Sequence, residues 1–178
     1  LLVGTALPAV APTAASAAFG GQIGGYPGYS LTGGSATLAS GTATVTLKYN
    51  KGDGNYSNMR AWVFCNGNGT GTLGTGFASN SGSSCGTGGA VDLSSTYDSW
   101  GSRATFTITG VSNLSHLGII VYNGTGNCCG TRDGSSGGDR LFNINGAYTT
   151  AWISDTDNRV FDGDNRSQIA TSAQYNNG

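Results

Sequence analysis

Ala43-Thr44-Val45-Thr46-Leu47-Lys48-Tyr49 is the stretch that decides the fold class. In an extended chain Val45, Leu47 and Tyr49 fall on one side, and Thr44, Thr46 and Lys48 on the other, which is the period of a half-buried strand. Arg103-Ala104-Thr105-Phe106-Thr107-Ile108-Thr109 repeats the alternation. Leu117-Gly118-Ile119-Ile120-Val121-Tyr122 is apolar almost throughout and reads as a strand covered on both faces. Shorter strands are predicted at Arg60–Cys65, Leu141–Ile144, Thr150–Ser154 and Arg159–Phe161. No window keeps a helical period over three turns. Short strands divided by Gly, Asn and Asp turns predict an all-β chain folded as an antiparallel β-sandwich.

Outward from this core the composition narrows the choice of partners. The 178 residues suffice for one domain with a sizeable core. Eight Lys and Arg stand against nine acids, all of them Asp, so no basic stripe exists to neutralise a phosphate backbone; nucleic acid is excluded as an expected partner. Lys48 is the first charged residue, which sets residues 1–43 apart as an uncharged N-terminal tail before a sandwich domain at 44–165 and a polar segment at 166–178. Pro8 and Pro12 interrupt the apolar opening, so no membrane span is expected. Ala15-Ser16-Ala17 would suit signal-peptide cleavage. Retained, an uncharged Gly-rich tail buries too little area to hold itself, and a neighbouring copy is the simplest support.

Cys65, Cys85, Cys128 and Cys129 lack zinc-ligand spacing and have only His116 for company, so disulfides and an extracellular location are expected. Four cysteines allow three pairings. Asn55, Asn68, Asn113, Asn123 and Asn165 head N-x-Ser/Thr sequons, the acceptor pattern for glycans. Asp155-Thr-Asp157-Asn158 and Asp162-Gly-Asp164-Asn165 space oxygen atoms as a calcium ion would use them, though Asx turns account for them equally and no cofactor is required. Gly69-Thr-Gly71-Thr-Leu-Gly74 and Gly82-Ser83-Ser84-Cys85-Gly86 match the dinucleotide and nucleophile-elbow strings, but both lie in a Gly/Ser/Thr run without the strand-turn-helix unit those functions need. Glu is absent, so the paired carboxylates of a glycoside hydrolase are not evident, and no enzyme is expected. Trp152 reads as core, whereas Trp62 and Phe64 alternate on one side of a strand, as core residues or as a platform on which a sugar ring can lie.

Val45-Thr-Leu-Lys-Tyr-Asn-Lys-Gly-Asp53-Gly54-Asn-Tyr56 followed by Arg60-Ala-Trp62-Val-Phe64 resembles the opening of the bacterial pullulanase-associated carbohydrate-binding modules of family 41. Tyr97-Asp-Ser-Trp-Gly101, Leu117-Gly-Ile-Ile-Val121, Arg132-Asp133 through Asp139-Arg140-Leu-Phe142, and Ala151-Trp152-Ile153 with Val160-Phe161 follow in the family's order, over about residues 44–162. The resemblance implies an immunoglobulin-like sandwich that binds α-1,4-linked glucan without cleaving it. It assigns stacking to Trp62 and Phe64, and hydrogen bonding of sugar hydroxyls to Arg132 and Asp133. The family's third stacking Trp is missing; Cys128-Cys129 stands there instead. A bridge from Cys65 to Cys128 or Cys129 would staple the Asn66–Ser84 loop over the sugar face, and pairs 65–85 and 128–129 are the rival.

Two functions are therefore expected in competition. One is a secreted, self-assembling filament or pilus subunit whose tail docks on another copy as a donated strand. The other is an α-glucan-binding module for starch, glycogen or pullulan.

Overall fold

The computed structural model describes residues 22–25, 38–66, 69–79, 81–114, 116–126, 128–132, 139–144 and 148–163. They form strands and turns without a helix. The strands are β1 (Gln22–Gly25), β2 (Leu38–Asn50), β3 (Met59–Asn66), β4 (Thr70–Leu73), β5 (Gly89–Asp92), β6 (Ser102–Leu114), β7 (His116–Asn123), β8 (Thr131–Arg132), β9 (Arg140–Asn143), β10 (Tyr148–Ser154) and β11 (Asp157–Phe161). Hydrogen bonding runs in the order β4-β6-β2-β10-β11-β1-β9-β7-β3-β5, with β8 on the side of β7. The chain is thus all-β and sandwich-like, one half built on β6-β2-β10 and the other on β9-β7-β3.

The alternation read from the sequence decides which side each strand buries. Ala43, Val45, Leu47 and Tyr49 point inward from β2, with Phe106 and Ile108 beside them on β6. Met59, Ala61, Val63 and Cys65 face them from β3, next to Leu117, Ile119 and Val121 on β7. Burying one such aliphatic side chain stabilises the fold by about 1.5–3 kcal/mol, so this inner layer holds the two halves together. Arg140 is also buried, and its guanidinium donates to the carbonyls of Ser154 and Asp157.

Three features depart from expectation. β10 runs parallel to β2, with Thr150 opposite Thr46 and Ile153 opposite Tyr49, so the pairing is not antiparallel throughout. β9 and β10 lie in different halves and are separated by residues 144–147, and β10 pairs alongside β2 in the same direction. The sheet also begins before Thr44. β2 starts at Leu38, and Gln22–Gly25 forms β1, antiparallel to both β9 and β11. The other tail residues, 1–21 and 26–37, lie outside the described residues, as does the segment after 163. Third, Trp152 is half-buried on the outer side of β10. Trp100 is the enclosed indole, 3% exposed, and meets Trp152 edge-on with ring centroids 4.9 Å apart.

On that outer side Lys48 lies 4.4 Å from the Trp152 ring centroid and 2.6 Å from Asp98. The Lys48 hydrogen bond, helped by the Trp100 and Gly101 amides and opposed by burial, holds the Asp98 carboxyl below its ordinary value of 3.8. A carboxylate whose folded pKa is depressed adds stability that is complete above the unfolded pKa and is lost as pH falls through the folded one. Asp98→Asn is therefore expected to unfold at lower urea than the parent at pH 6, with the difference shrinking once the pH drops below about 4. A difference that persists unchanged at pH 2 would show that Asp98 does not act through its charge.

Candidate functional site

On β3 the residues that turn away from the core are Arg60, Trp62, Phe64 and Asn66, each half-buried. The register fixes what lies beside them. Arg60 has Asp92 on one side and Tyr122 on the other; Trp62 lies between Ala90 and Ile120; Phe64 is opposite Gly118. Both rings rest where a side chain is missing. A Cβ placed on Gly118 would fall 2.1 Å from Phe64 Cζ, and one on Gly88 would fall 2.5 Å from Trp62 Nε1. The aromatics are thus laid down against the sheet, about 7 Å apart along the strand. Both residues therefore lie, half-buried, on the side of β3 that turns away from the core.

Arg132 reaches the same surface by a different route. β8 pairs with β7 through Tyr122 opposite Arg132 and Asn123 opposite Thr131, so Arg132 continues the row Asp92-Arg60-Tyr122. It stands two strands from β3, about 10 Å across the sheet, one row along from Trp62. The Arg132 guanidinium lies 3.5 Å from Asp139, and both side chains are well exposed. Asp133 falls outside the described residues. Trp62, Phe64 and Arg132 are therefore gathered on one face, and the fourth predicted residue has no described position.

The connection from β7 to β8 is tied down from beneath. Arg60 donates to the Thr125 carbonyl at 2.9 Å, Tyr122 donates its hydroxyl to the Gly126 carbonyl at 3.0 Å, and the Gly124 amide donates to the Asn58 carbonyl at 3.0 Å. Burial pushes the Tyr122 phenol above its ordinary 10.0. Asp92, beside Arg60, is affected first by burial, which raises its pKa. Hydrogen bonds from Ser94 and Ser95 outweigh that and hold it below 3.8, so the row carries both signs of charge.

Cys65 pairs with Cys85. The bridge from Cys65 to the β7–β8 connection, which would have covered the aromatics, does not form. Cys65 lies at the end of β3 on the inward side, where its amide also donates to the Cys85 carbonyl at 2.8 Å, so the disulfide closes its own loop. That loop returns along β5, where the Ala78 amide donates to the Ala90 carbonyl. Cys128 and Cys129 occupy the exposed turn before β8.

The remaining predicted sites lie elsewhere. Asp155 accepts from the Gly52 amide at 3.0 Å, and Asp157 pairs with Arg159 at 2.6 Å, so these carboxylates serve turns and an ion pair; Asp164 and Asn165 lie outside the described residues. Among the described residues no three His, Cys, Asp or Glu side chains come together as metal ligands. Of the sequon asparagines, Asn55 and Asn123 are exposed, Asn113 lies on β6, and Asn68 falls outside the described residues. Asn123 already donates its amide to the Ser57 carbonyl at 2.9 Å.

Two cavities open at the end of the sandwich where β3 begins. One of about 620 Å³ is walled by Tyr56 and Tyr97, and the latter is 51% exposed. Two of its polar groups are engaged within the chain: Tyr97 donates to the Ser94 carbonyl, and Asp98 holds Lys48 and the Trp100 amide. The other, about 320 Å³, is lined by Lys51, Met59, Asn123, Thr131 and Arg132. Sequence reading misses Arg60, Tyr122, Gly88 and Gly118 as parts of this surface. The placement of Arg60 was available from its alternation with Ala61, but the two glycines acquire a role only through cross-strand register.

No family model and no curated protein sequence matches the chain. Among solved structures, one of family 41 carbohydrate-binding modules from streptococcal virulence factors, described for α-glucan recognition, is 17% identical with a TM-score of 0.43; the match covers 68% of this chain and 47% of that one. Another, a product complex of a multi-modular glycogen-degrading pneumococcal virulence factor, is 14% identical with a TM-score of 0.42 over 68% of this chain and 11% of that one. The chain therefore spans less than half of the first and a small part of the second.

Proposed function

We propose that this chain is a secreted, non-catalytic module that binds a neutral polysaccharide of the α-glucan class on the outer face of β3, β7 and β8. The observation that carries this reading is the pair of aromatic rings, Trp62 and Phe64, packed close over Gly88 and Gly118 with Arg132 on the same face. Stacked rings take the C–H side of a sugar, and charged donors at the margin take its hydroxyls. A chain of −1 net charge has no long-range attraction for a polyanion, which suits an uncharged ligand. Asp133 follows Arg132 directly in sequence and is proposed as the hydroxyl-accepting partner. The Cys65–Cys85 disulfide supports an oxidising location outside the cytosol. The order of motifs in the sequence supports the α-glucan class over other neutral glycans. Electrophoresis in native gels containing glycogen tests it: the protein is expected to be retarded relative to gels without polysaccharide, and mobility that glycogen leaves unchanged would sink the proposal.

A second reading, assembly into a filament, draws on one observation. Among the described residues β1 is the only strand hydrogen-bonded to both β9 and β11, and so to both halves of the sandwich. A four-residue strand in such a slot is the kind of element that copies of a chain can exchange. Exchange of this sort makes oligomers whose proportion rises with concentration. Sedimentation velocity across a hundredfold concentration range is expected to reveal them if the reading holds, and a single monomeric species throughout would remove it.

A further inference from the structure

We infer that the cavity walled by Tyr56 and Tyr97 is a second sugar-binding site, separate from the β3 face, which takes the terminal units of a neutral α-glucan chain. The choice of sugar rests on the function proposed above, whereas the site rests on its own geometry. The cavity holds about 620 Å³, within the ordinary range for small-molecule sites. Its aromatic wall rises stepwise from the core. Tyr49, fully buried, meets Tyr56 edge-on with ring centroids 6.0 Å apart, and Tyr56 supports the tilted Tyr97 ring at 5.4 Å. Tyr97 is 51% exposed and yet fixed at both ends. Its hydroxyl is donated to the Ser94 carbonyl, and its backbone bridges to Ser102. A ring held in this way with half its surface in water loses little freedom when the C–H side of a sugar covers it.

Sugar hydroxyls need polar partners beside the ring, and the turn before β3 supplies them. The Asn55 side-chain oxygen accepts from the Ser57 amide at 3.1 Å, and the Ser57 carbonyl accepts from Asn123. Among the described residues, neither the Asn55 NH2 nor the Ser57 hydroxyl has a hydrogen-bond partner, and both residues are exposed and line the cavity. The one charged residue lining it, Asp98, is held by Lys48 at 2.6 Å. The groups left for a ligand are therefore neutral, as a polyol requires. One stacking ring without a charged donor grips less tightly than Trp62, Phe64 and Arg132 together, too weakly to hold a protein in a gel unaided. It contributes through avidity, because a branched glucan presents many chain ends and one already bound on β3 brings others to this cavity at high local concentration.

Two readouts decide the matter, on protein whose mass shows Asn55 unmodified. In NMR titrations, millimolar maltotriose is expected to shift the Asn55 side-chain amide and the Tyr97 ring resonances, in the parent and in Trp62→Ala alike, and Tyr97→Ala should abolish the Asn55 shift. In glycogen gels Tyr97→Ala is expected to weaken retardation about three- to tenfold, the scale of one aromatic contact, while Tyr97→Phe, which keeps the ring, binds as the parent does. Ser57→Leu, at an exposed position, crowds the same cavity and should reproduce the loss with Tyr97 in place. Maltotriose that leaves Asn55 and Tyr97 unmoved overturns the inference. So does a shift that vanishes in Trp62→Ala, since it would belong to the β3 face. Glycogen retardation without any response at Tyr97 leaves the proposed function standing and removes this site; a response at Tyr97 in a parent protein that glycogen does not retard keeps the site and refutes the β3 proposal.

Discussion

Replacing Trp62 with alanine is expected to abolish retardation of this protein in glycogen gels while leaving its circular dichroism that of the parent. A central aromatic anchor typically carries ~2 kcal/mol or more of an interface, roughly thirtyfold in affinity, which exceeds what any peripheral hydrogen bond supplies. The indole is half-buried on the outer side of β3, so its loss removes area from the surface layer without opening a cavity between the halves. Phe64 alone then remains, a smaller ring with no polar edge. Trp152→Ala is the matched control, since that indole sits on the outer side of β10 in the other half of the sandwich. A Trp62→Ala protein that binds like the parent, or a Trp152→Ala protein that loses binding equally, would rule out the β3 face as the platform.

The second large effect concerns stability. Cys65 and Cys85 are 20 residues apart in sequence, and cross-linking a loop of that length lowers the entropy of the unfolded chain by an amount equivalent to roughly 3 kcal/mol. Cys65→Ala/Cys85→Ala is therefore expected to lower the thermal midpoint by about 6–12 °C in a chain of this size. The disulfide links the end of β3 to the loop lying along β5, so the damage should begin there, with early exchange at Ala78 and Ala90. Differential scanning calorimetry measures the shift, and a midpoint within about a degree of the parent would mean that the loop is ordered without the bond. Glycogen binding should persist in the folded variant, because the inward side of β3 carries the cysteine and the outward side the aromatics.

The fold was legible wherever a strand was long enough to display its period. Ala43–Tyr49, Arg103–Thr109 and Leu117–Tyr122 each show several alternations or an unbroken apolar run, and each became the middle of an observed strand. β1, β4, β5 and β8 were not legible. Each is four residues or fewer, and Gln-Ile-Gly-Gly or Thr-Gly-Thr-Leu has no period to read; such segments become strands because a neighbour offers an unpaired edge. The parallel β2–β10 pair was hidden for a related reason, since the direction of a pairing depends on which distant strand offers its edge and not on the local period. At the candidate site, alternation placed Trp62 and Phe64 on one side of β3 but did not say which side. That required the neighbouring segments, where Gly118 of β7 lies against Phe64 and Gly88 against Trp62. Trp152 misled because its neighbours Ala151 and Ile153 are apolar and face inward, and the residue between two inward side chains on a strand must face out.

β1 also determines how the molecule meets mechanical load. Tension entering from the chain ahead of Gln22 arrives at a strand of four residues before it reaches the thirteen-residue β2. The short strand yields first, peeling away from its two neighbours, while the apolar interior and the Trp62 face are as yet unstressed. A pull that would otherwise strain the whole sandwich is thus met first by one of its shortest inward-packed strands.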